Sequence, residues 1–177
     1  MNFLKIFLIF FFVSLFLTNC AKKEKTSLIV EEDVESQMIR AFKEGYDEFK
    51  AGDALYAAKK FNEAELLFPQ SSWAPKAALM SAYVYYAEDY YFDAESELKR
   101  FIKTYPKHPD LSYAHFLLAM CYYEKIVDEK KDLGPLLLAQ EKFNFIIQNY
   151  PSSDYALDAG YKLDLIQDYL ASKEMYI

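Results

Sequence analysis

AYVYYAEDYYFDAESELKRFIKTYPKHPDLSYAHFLLAMCYYE, residues 82–124, decides the fold, because it repeats. Shifted by 37 residues, the chain falls into register with itself on both sides of this stretch. Gly45, Ala82 and Ala119 form a row of small residues, and Phe42, Leu79 and Phe116 a row of bulky apolar ones. Phe49, Tyr86 and Tyr123 are all aromatic, as are Tyr46 and Tyr83, with Met120 completing that row. Further along, Ala57 falls on Ala94 and Phe61 on Leu98, and the units close on aromatic-proline pairs, Phe68-Pro69 and Tyr105-Pro106. A third unit returns to register after eight extra residues, which places Ala139, Phe143 and Tyr150-Pro151.

Within each unit apolar residues recur at spacings of three and four, the period of an amphipathic helix, so each unit predicts two helices. A small residue in the first and an alanine in the second let their backbones approach closely. Proline cannot continue a helix and ends the unit. Asp53, Asp89 and residues 128–133 fall where the first helix turns into the second, and Ser71-Ser72 and Ser152-Ser153-Asp154 offer caps for the helices that follow. The insertion IVDEKKDL, residues 126–133, predicts a longer exposed turn ending at Gly134-Pro135. The expected fold is all-α, a tetratricopeptide-like right-handed superhelix of antiparallel helix pairs. Its repeats lie at about 37–70, 72–107 and 110–151, within a domain spanning 37–177. Residues 154–177 supply the first helix of a fourth repeat and no second. Tyr161, Leu165 and Tyr169 on that helix suit further packing, so the chain reads as a fragment or shortened form of a longer solenoid.

Composition narrows the function. Of the 177 residues, 53% are hydrophobic, but many of these crowd the first 19. Without those 19 the remaining 158 residues hold 19 Lys+Arg against 27 Asp+Glu, a balance of −8. Such a surface repels phosphate backbones, and no clustered basic stripe offsets it, so nucleic acid is not an expected partner. Four Gly and six Pro argue against a β-sandwich and leave no glycine-rich phosphate loop. The same 158 residues keep 16 Tyr, 9 Phe and 1 Trp, ample anchors for a core and a groove.

The amino terminus speaks to the compartment. Lys5 precedes an apolar run from Ile6 to Leu17 broken only by Ser14, the form of a signal-peptide core and too short to span a bilayer. The run ends in Leu17-Thr18-Asn19-Cys20, which resembles the bacterial lipobox, although Asn19 stands where Gly, Ala or Ser is usual. Residues 1–19 therefore read as a cleaved lipoprotein signal peptide, and Cys20 as the lipidated amino terminus, palmitate included. Residues 20–36 read as that terminus and a charged tether. Ala21 and Lys22, with no Asp after the cysteine, resemble the sorting pattern of lipoproteins sent to the outer membrane. Only Cys121 is then left, a small core residue with no disulfide partner.

No G-x-S-x-G, H-E-x-x-H, C-x-x-C or P-loop is present, and His108 and His115 read as structural or surface residues, so no enzyme, metal or cofactor is expected. Binding is the better expectation. In a solenoid of helix pairs the first helices line the concave face. On them Tyr46 and Phe49, Tyr83 and Tyr86, and Met120 and Tyr123 sit one turn apart. These six either pack between repeats or form an aromatic stripe able to grip an extended or aromatic-tipped peptide.

A resemblance sharpens this. Ala82-Tyr83-Val84-Tyr85-Tyr86, Arg100-Phe101-Ile102 and Tyr105-Pro106-Lys107-His108-Pro109 are similar to the second and third repeats of the BamD family, formerly ComL. These are tetratricopeptide lipoproteins of the β-barrel assembly machine. Tyr150-Pro151-Ser152-Ser153-Asp154-Tyr155-Ala156 and Asp168-Tyr169-Leu170-Ala171 continue the match in order. The resemblance implies a periplasmic scaffold, lipid-anchored in the outer membrane, that helps insert β-barrel proteins. Its amino-terminal repeats would receive the carboxy-terminal signals of unfolded barrel substrates. Its later repeats would contact a BamA-like barrel protein through its POTRA portion, alongside other assembly-machine subunits. Family members have about five repeats and this chain stops early in the fourth, so the BamA-contacting half is incomplete. The alternative is a generic tetratricopeptide lipoprotein scaffold in cell-envelope or division machinery.

Overall fold

The first helix among the described residues starts after Asp33, whose carboxylate accepts the Ser36 N–H at 3.0 Å and the Ser36 hydroxyl at 2.7 Å and so caps α1, Val34–Ala51. Gly52, at φ 87°, ends α1 in the left-handed region that glycine enters without strain, its N–H reaching the Phe49 carbonyl at 3.1 Å. Asp53 then caps α2, Ala54–Leu67, by accepting the Tyr56 N–H at 3.0 Å. Phe68-Pro69 stops that helix, and the Ser71 hydroxyl receives the Ala74 N–H at the start of α3, Ala74–Ala87. Asp89, at φ 64°, makes the next turn into α4, Tyr91–Thr104. Then follow α5, Leu111–Glu124, α6, Gly134–Asn149, and α7, Asp154–Glu174. Of the two serine groups read as caps, only Ser71 acts so; Ser153 donates its hydroxyl to the Tyr150 carbonyl at 2.8 Å. The computed structural model describes residues 32–125 and 133–174. Cys20, the signal segment and most of the third unit's long turn lie outside the described residues.

Each helix packs on its neighbours in the chain, α1 on α2 through to α6 on α7, with α5 also touching α3 and α7. That is the contact pattern of a tetratricopeptide-like repeat: three helix pairs and a seventh helix among the described residues. The small residues sit where the helices approach most closely. Ala57, Ala82, Ala94, Ala119, Ala139 and Ala159 are fully buried. A Cβ on Gly45 would stand 3.1 Å from the Phe61 ring and 3.2 Å from the Ala57 carbonyl oxygen, so α1 and α2 meet through a glycine for steric reasons. Phe61, Phe101 and Phe143 fill successive layers of the core, each without exposed surface. Tyr161 and Leu165 on α7 remain 62% and 54% exposed.

Two ionic clusters join consecutive units. On α2, Glu65 is buried and takes a two-pronged bond from Arg100 of α4, at 2.8 and 2.7 Å, and a third from the Tyr105 hydroxyl at 2.7 Å. On α4, Glu95 receives Lys99 at 2.5 Å, the Tyr122 hydroxyl at 2.8 Å and the Lys125 ammonium. Burial alone would raise the Glu95 carboxyl, but these donors outweigh it and hold it down at about 2 against an ordinary 4.5. The stability it adds is therefore full above pH 4.5 and lost as pH falls from there towards 2. Burial, and then the Lys142 charge, lower the His115 pKa below its usual 6.5, so acid that charges this ring also destabilises the fold, beginning below 6.5. Urea midpoints are expected to be flat above pH 7 and to fall on acidification. Glu95→Gln should lower the midpoint at pH 7 and remove much of the fall below pH 4.5. A variant whose acid limb matches the wild type would refute this role for Glu95.

Candidate functional site

A groove of about 480 Å³ runs across the first helices of all four units. Phe42 of α1, Leu79, Met80 and Tyr83 of α3, Tyr113 of α5 and Tyr155 of α7 line it, and Lys76 and Asp110 bring one charge of each sign. The aromatic walls brace one another. Phe42 meets Phe61 and Trp73 edge-on at 5.1 and 5.2 Å, and Tyr113 tilts against Tyr155 at 5.3 Å. Tyr155 is held from behind by Phe116 at 5.5 Å. Burial raises the Tyr113 pKa well above its usual 10, so its hydroxyl stays a donor at any physiological pH. Lys76 leans over the Trp73 ring, 4.9 Å from its centre. A smaller apolar recess of about 290 Å³, between Ile39, Phe42, Lys43, Tyr46 and Trp73, adjoins the groove through Phe42.

The six residues expected to form a stripe take up different places. Tyr83 lines the groove and Tyr46 the adjoining recess, where Lys50 covers its ring at 4.5 Å. Phe49 packs edge-on against Tyr83 at 5.9 Å and closes the wall behind it. Tyr86 rests on Tyr91 at 5.8 Å, and burial pushes its hydroxyl up to about 12. Met120 is only 8% exposed and belongs to the core, and Tyr123 lies between Phe143 at 6.3 Å and the Lys162 ammonium at 4.3 Å. The groove is thus turned about one helical turn towards the start of the first helices. Tyr113 and Tyr155 were missed because their rows are mixed: Ile39, Lys76 and Tyr113 share one, and Tyr155 aligns with Asp110 only after the eight-residue insertion is counted.

The groove offers apolar area, tyrosine hydroxyls and one charge of each sign. His108 serves structure, its ring edge-on to Phe101 at 5.5 Å and its Nδ1 accepting the Asp110 N–H at 3.2 Å. Cys121 is fully buried, and burial pushes its thiol up to about 12.

Known proteins resemble this chain along most of its length. The family model described as YfiO, outer membrane lipoprotein, matches residues 34–177. The outer membrane protein assembly factor BamD of Caulobacter vibrioides is 35% identical over 158 residues, covering 89% of this chain and 51% of that protein. The protein of the same name from Rickettsia prowazekii is 30% identical over 165 residues, 93% of this chain and 64% of the relative. That of Neisseria gonorrhoeae is 25% identical over 175 residues, with 93% and 66% covered. The chain spans about half to two thirds of the length of these curated relatives.

Proposed function

The chain belongs to the YfiO family of outer membrane lipoproteins, and from that premise we propose that it is a non-enzymatic scaffold subunit of the machinery that assembles β-barrel proteins into the outer membrane. The name shared by its relatives, outer membrane protein assembly factor, supports this reading. In it, lipid on Cys20 anchors the domain to the periplasmic face of the outer membrane, the groove receives the carboxy-terminal segment of an unfolded barrel protein, and the partner is a BamA-like barrel with POTRA domains.

The observation that carries the proposal is the groove's extent over α1, α3, α5 and α7. A groove that reaches from Phe42 on α1 to Tyr155 on α7 is long enough for several residues of extended chain. Alternate side chains of such a segment would point towards the aromatic wall, and Lys76 could hold a terminal carboxylate. Tyrosine suits the task because it combines a large rigid face with a donor at small entropic cost.

Co-purification from native membranes in mild detergent, with the anchor intact, is expected to recover a POTRA-containing barrel protein. Its absence would favour a general envelope scaffold. Replacing Tyr83 and Tyr113 together by alanine is expected to weaken capture of an aromatic-ended peptide about tenfold, as loss of central aromatic anchors does. Unchanged affinity with an intact helical spectrum would refute the groove assignment.

A further inference from the structure

The buried Arg100–Glu65 network has a counterpart one unit later that lacks its charges. In the 37-residue register, Glu65 of α2 falls on Ile102 of α4; with the eight inserted residues counted, Arg100 of α4 falls on Phe145 of α6. Tyr105 likewise falls on Tyr150. Between α2 and α4 the slot is closed from within, because Arg100 and Tyr105 hold the Glu65 carboxylate. Between α4 and α6 that closure cannot form. Ile102 stands where the carboxylate was and Phe145 where the guanidinium was.

What is left is an open pocket of about 240 Å³. Ile102, Leu118 and Phe145 make its walls apolar, and the His115 ring tilts against Phe145 at 4.7 Å. Lys99, Lys103 and Lys142 stand around it, and no carboxylate lines it, in a chain whose net charge is −7. Lys99 and Lys142 are paired on their own helices, with Glu95 at 2.5 Å and Glu141 at 2.8 Å, whereas Lys103 has no partner among the described residues. Tyr150 lies beside His115, 5.7 Å away, and its hydroxyl, unlike that of Tyr105, bonds to nothing among the described residues.

We infer that this pocket between α4 and α6 is a second binding site, taking a carboxylate carried next to an apolar side chain on an acidic peptide segment of a partner protein. The incoming carboxylate plays the part that Glu65 plays one unit earlier, and its apolar neighbour covers Ile102 and Phe145. Separate lysine ammonium groups suit a carboxylate, while phosphate sites favour the forked donors of arginine, which this pocket lacks. The pocket is lined by α4, α5 and α6 and shares no lining residue with the aromatic groove, so the two can be filled together.

The test uses the full chain in detergent and a labelled, capped peptide with a Glu-Leu-Glu core. The peptide is expected to bind, and its Gln-Leu-Gln isostere to bind about tenfold more weakly. Lys103→Glu with Lys142→Glu should lower affinity about tenfold, and Tyr83→Ala in the groove should leave it unchanged. Ile102→Glu with Phe145→Arg rebuilds the internal network in the slot and should abolish binding while the helical spectrum is kept. Failure of the acidic peptide to bind, equal binding of the isostere, or indifference to both double variants would overturn the inference. So would binding of phosphatidylglycerol vesicles in place of the peptide.

Discussion

Replacing Phe101 by alanine is expected to cost about 3–5 kcal/mol of unfolding free energy, the usual range for emptying a fully buried phenylalanine site. Phe101 has no exposed surface and belongs to the core that runs from α3 to α7. Its ring also holds the turn that ends the second unit, lying 5.4 Å from Tyr105 and 5.5 Å from His108. The substitution therefore removes apolar contact and loosens the joint between α4 and α5. In a repeat array stability is close to a sum of unit and nearest-neighbour terms, so a defect at a central joint uncouples the two ends. Urea unfolding followed by circular dichroism is expected to show a lower midpoint and two transitions, with amide exchange protection lost first around the α4–α5 joint. Phe101→Leu should retain a single transition. A Phe101→Ala protein that unfolds in one step with less than about 1 kcal/mol lost would show that the joint is not where the units are coupled.

The rows that predict the fold are local in origin, which is why they could be read. Gly45, Ala82 and Ala119 are small because two helix backbones meet there, and the aromatic-proline pairs end helices through their own backbone chemistry. Asp53 and Ser71 act on N–H groups three residues away. The groove was read less well because a helical period gives the spacing of a stripe but not the angle at which a helix meets its neighbours. Rows 42, 46 and 49 all lie towards one side of α1, and packing against α2 and α3 decides that Phe42 borders the groove while Phe49 props up Tyr83. Met120 went the same way: α5 contacts α3, α4, α6 and α7, and is buried over most of its circumference. The Glu65 network was out of reach for a different reason. A glutamate on a helix is ordinarily solvated, and only a guanidinium 35 residues further along allows this one to be buried.

That distant partnership sets the other large effect. Arg100→Ala is expected to destabilise the chain by about 2–3 kcal/mol, because it strands a carboxylate that the fold has already taken out of water. The two partners differ in exposure, with the Arg100 side chain 38% accessible and that of Glu65 only 8%. Removing the glutamate is therefore milder, since Arg100 keeps Glu97 at 2.8 Å and contact with solvent. Glu65→Gln, which preserves acceptance from Tyr105 and from one guanidinium N–H, should cost about 1 kcal/mol. The neighbouring slot has Ile102 and Phe145 at these two positions and so does without a buried ion pair, although part of it stays open. Glu65→Ile combined with Arg100→Phe copies that solution, and the double variant is expected to recover most of the loss caused by Arg100→Ala. Buried ion pairs can commonly be exchanged for apolar residues at little cost, whereas half of a pair cannot be removed cheaply. Equilibrium unfolding of the two single variants and the double variant decides the matter. A double variant no more stable than Arg100→Ala would mean that the hydrogen bonds among Glu65, Arg100 and Tyr105, and not simply the filling of the slot, hold the first two units together.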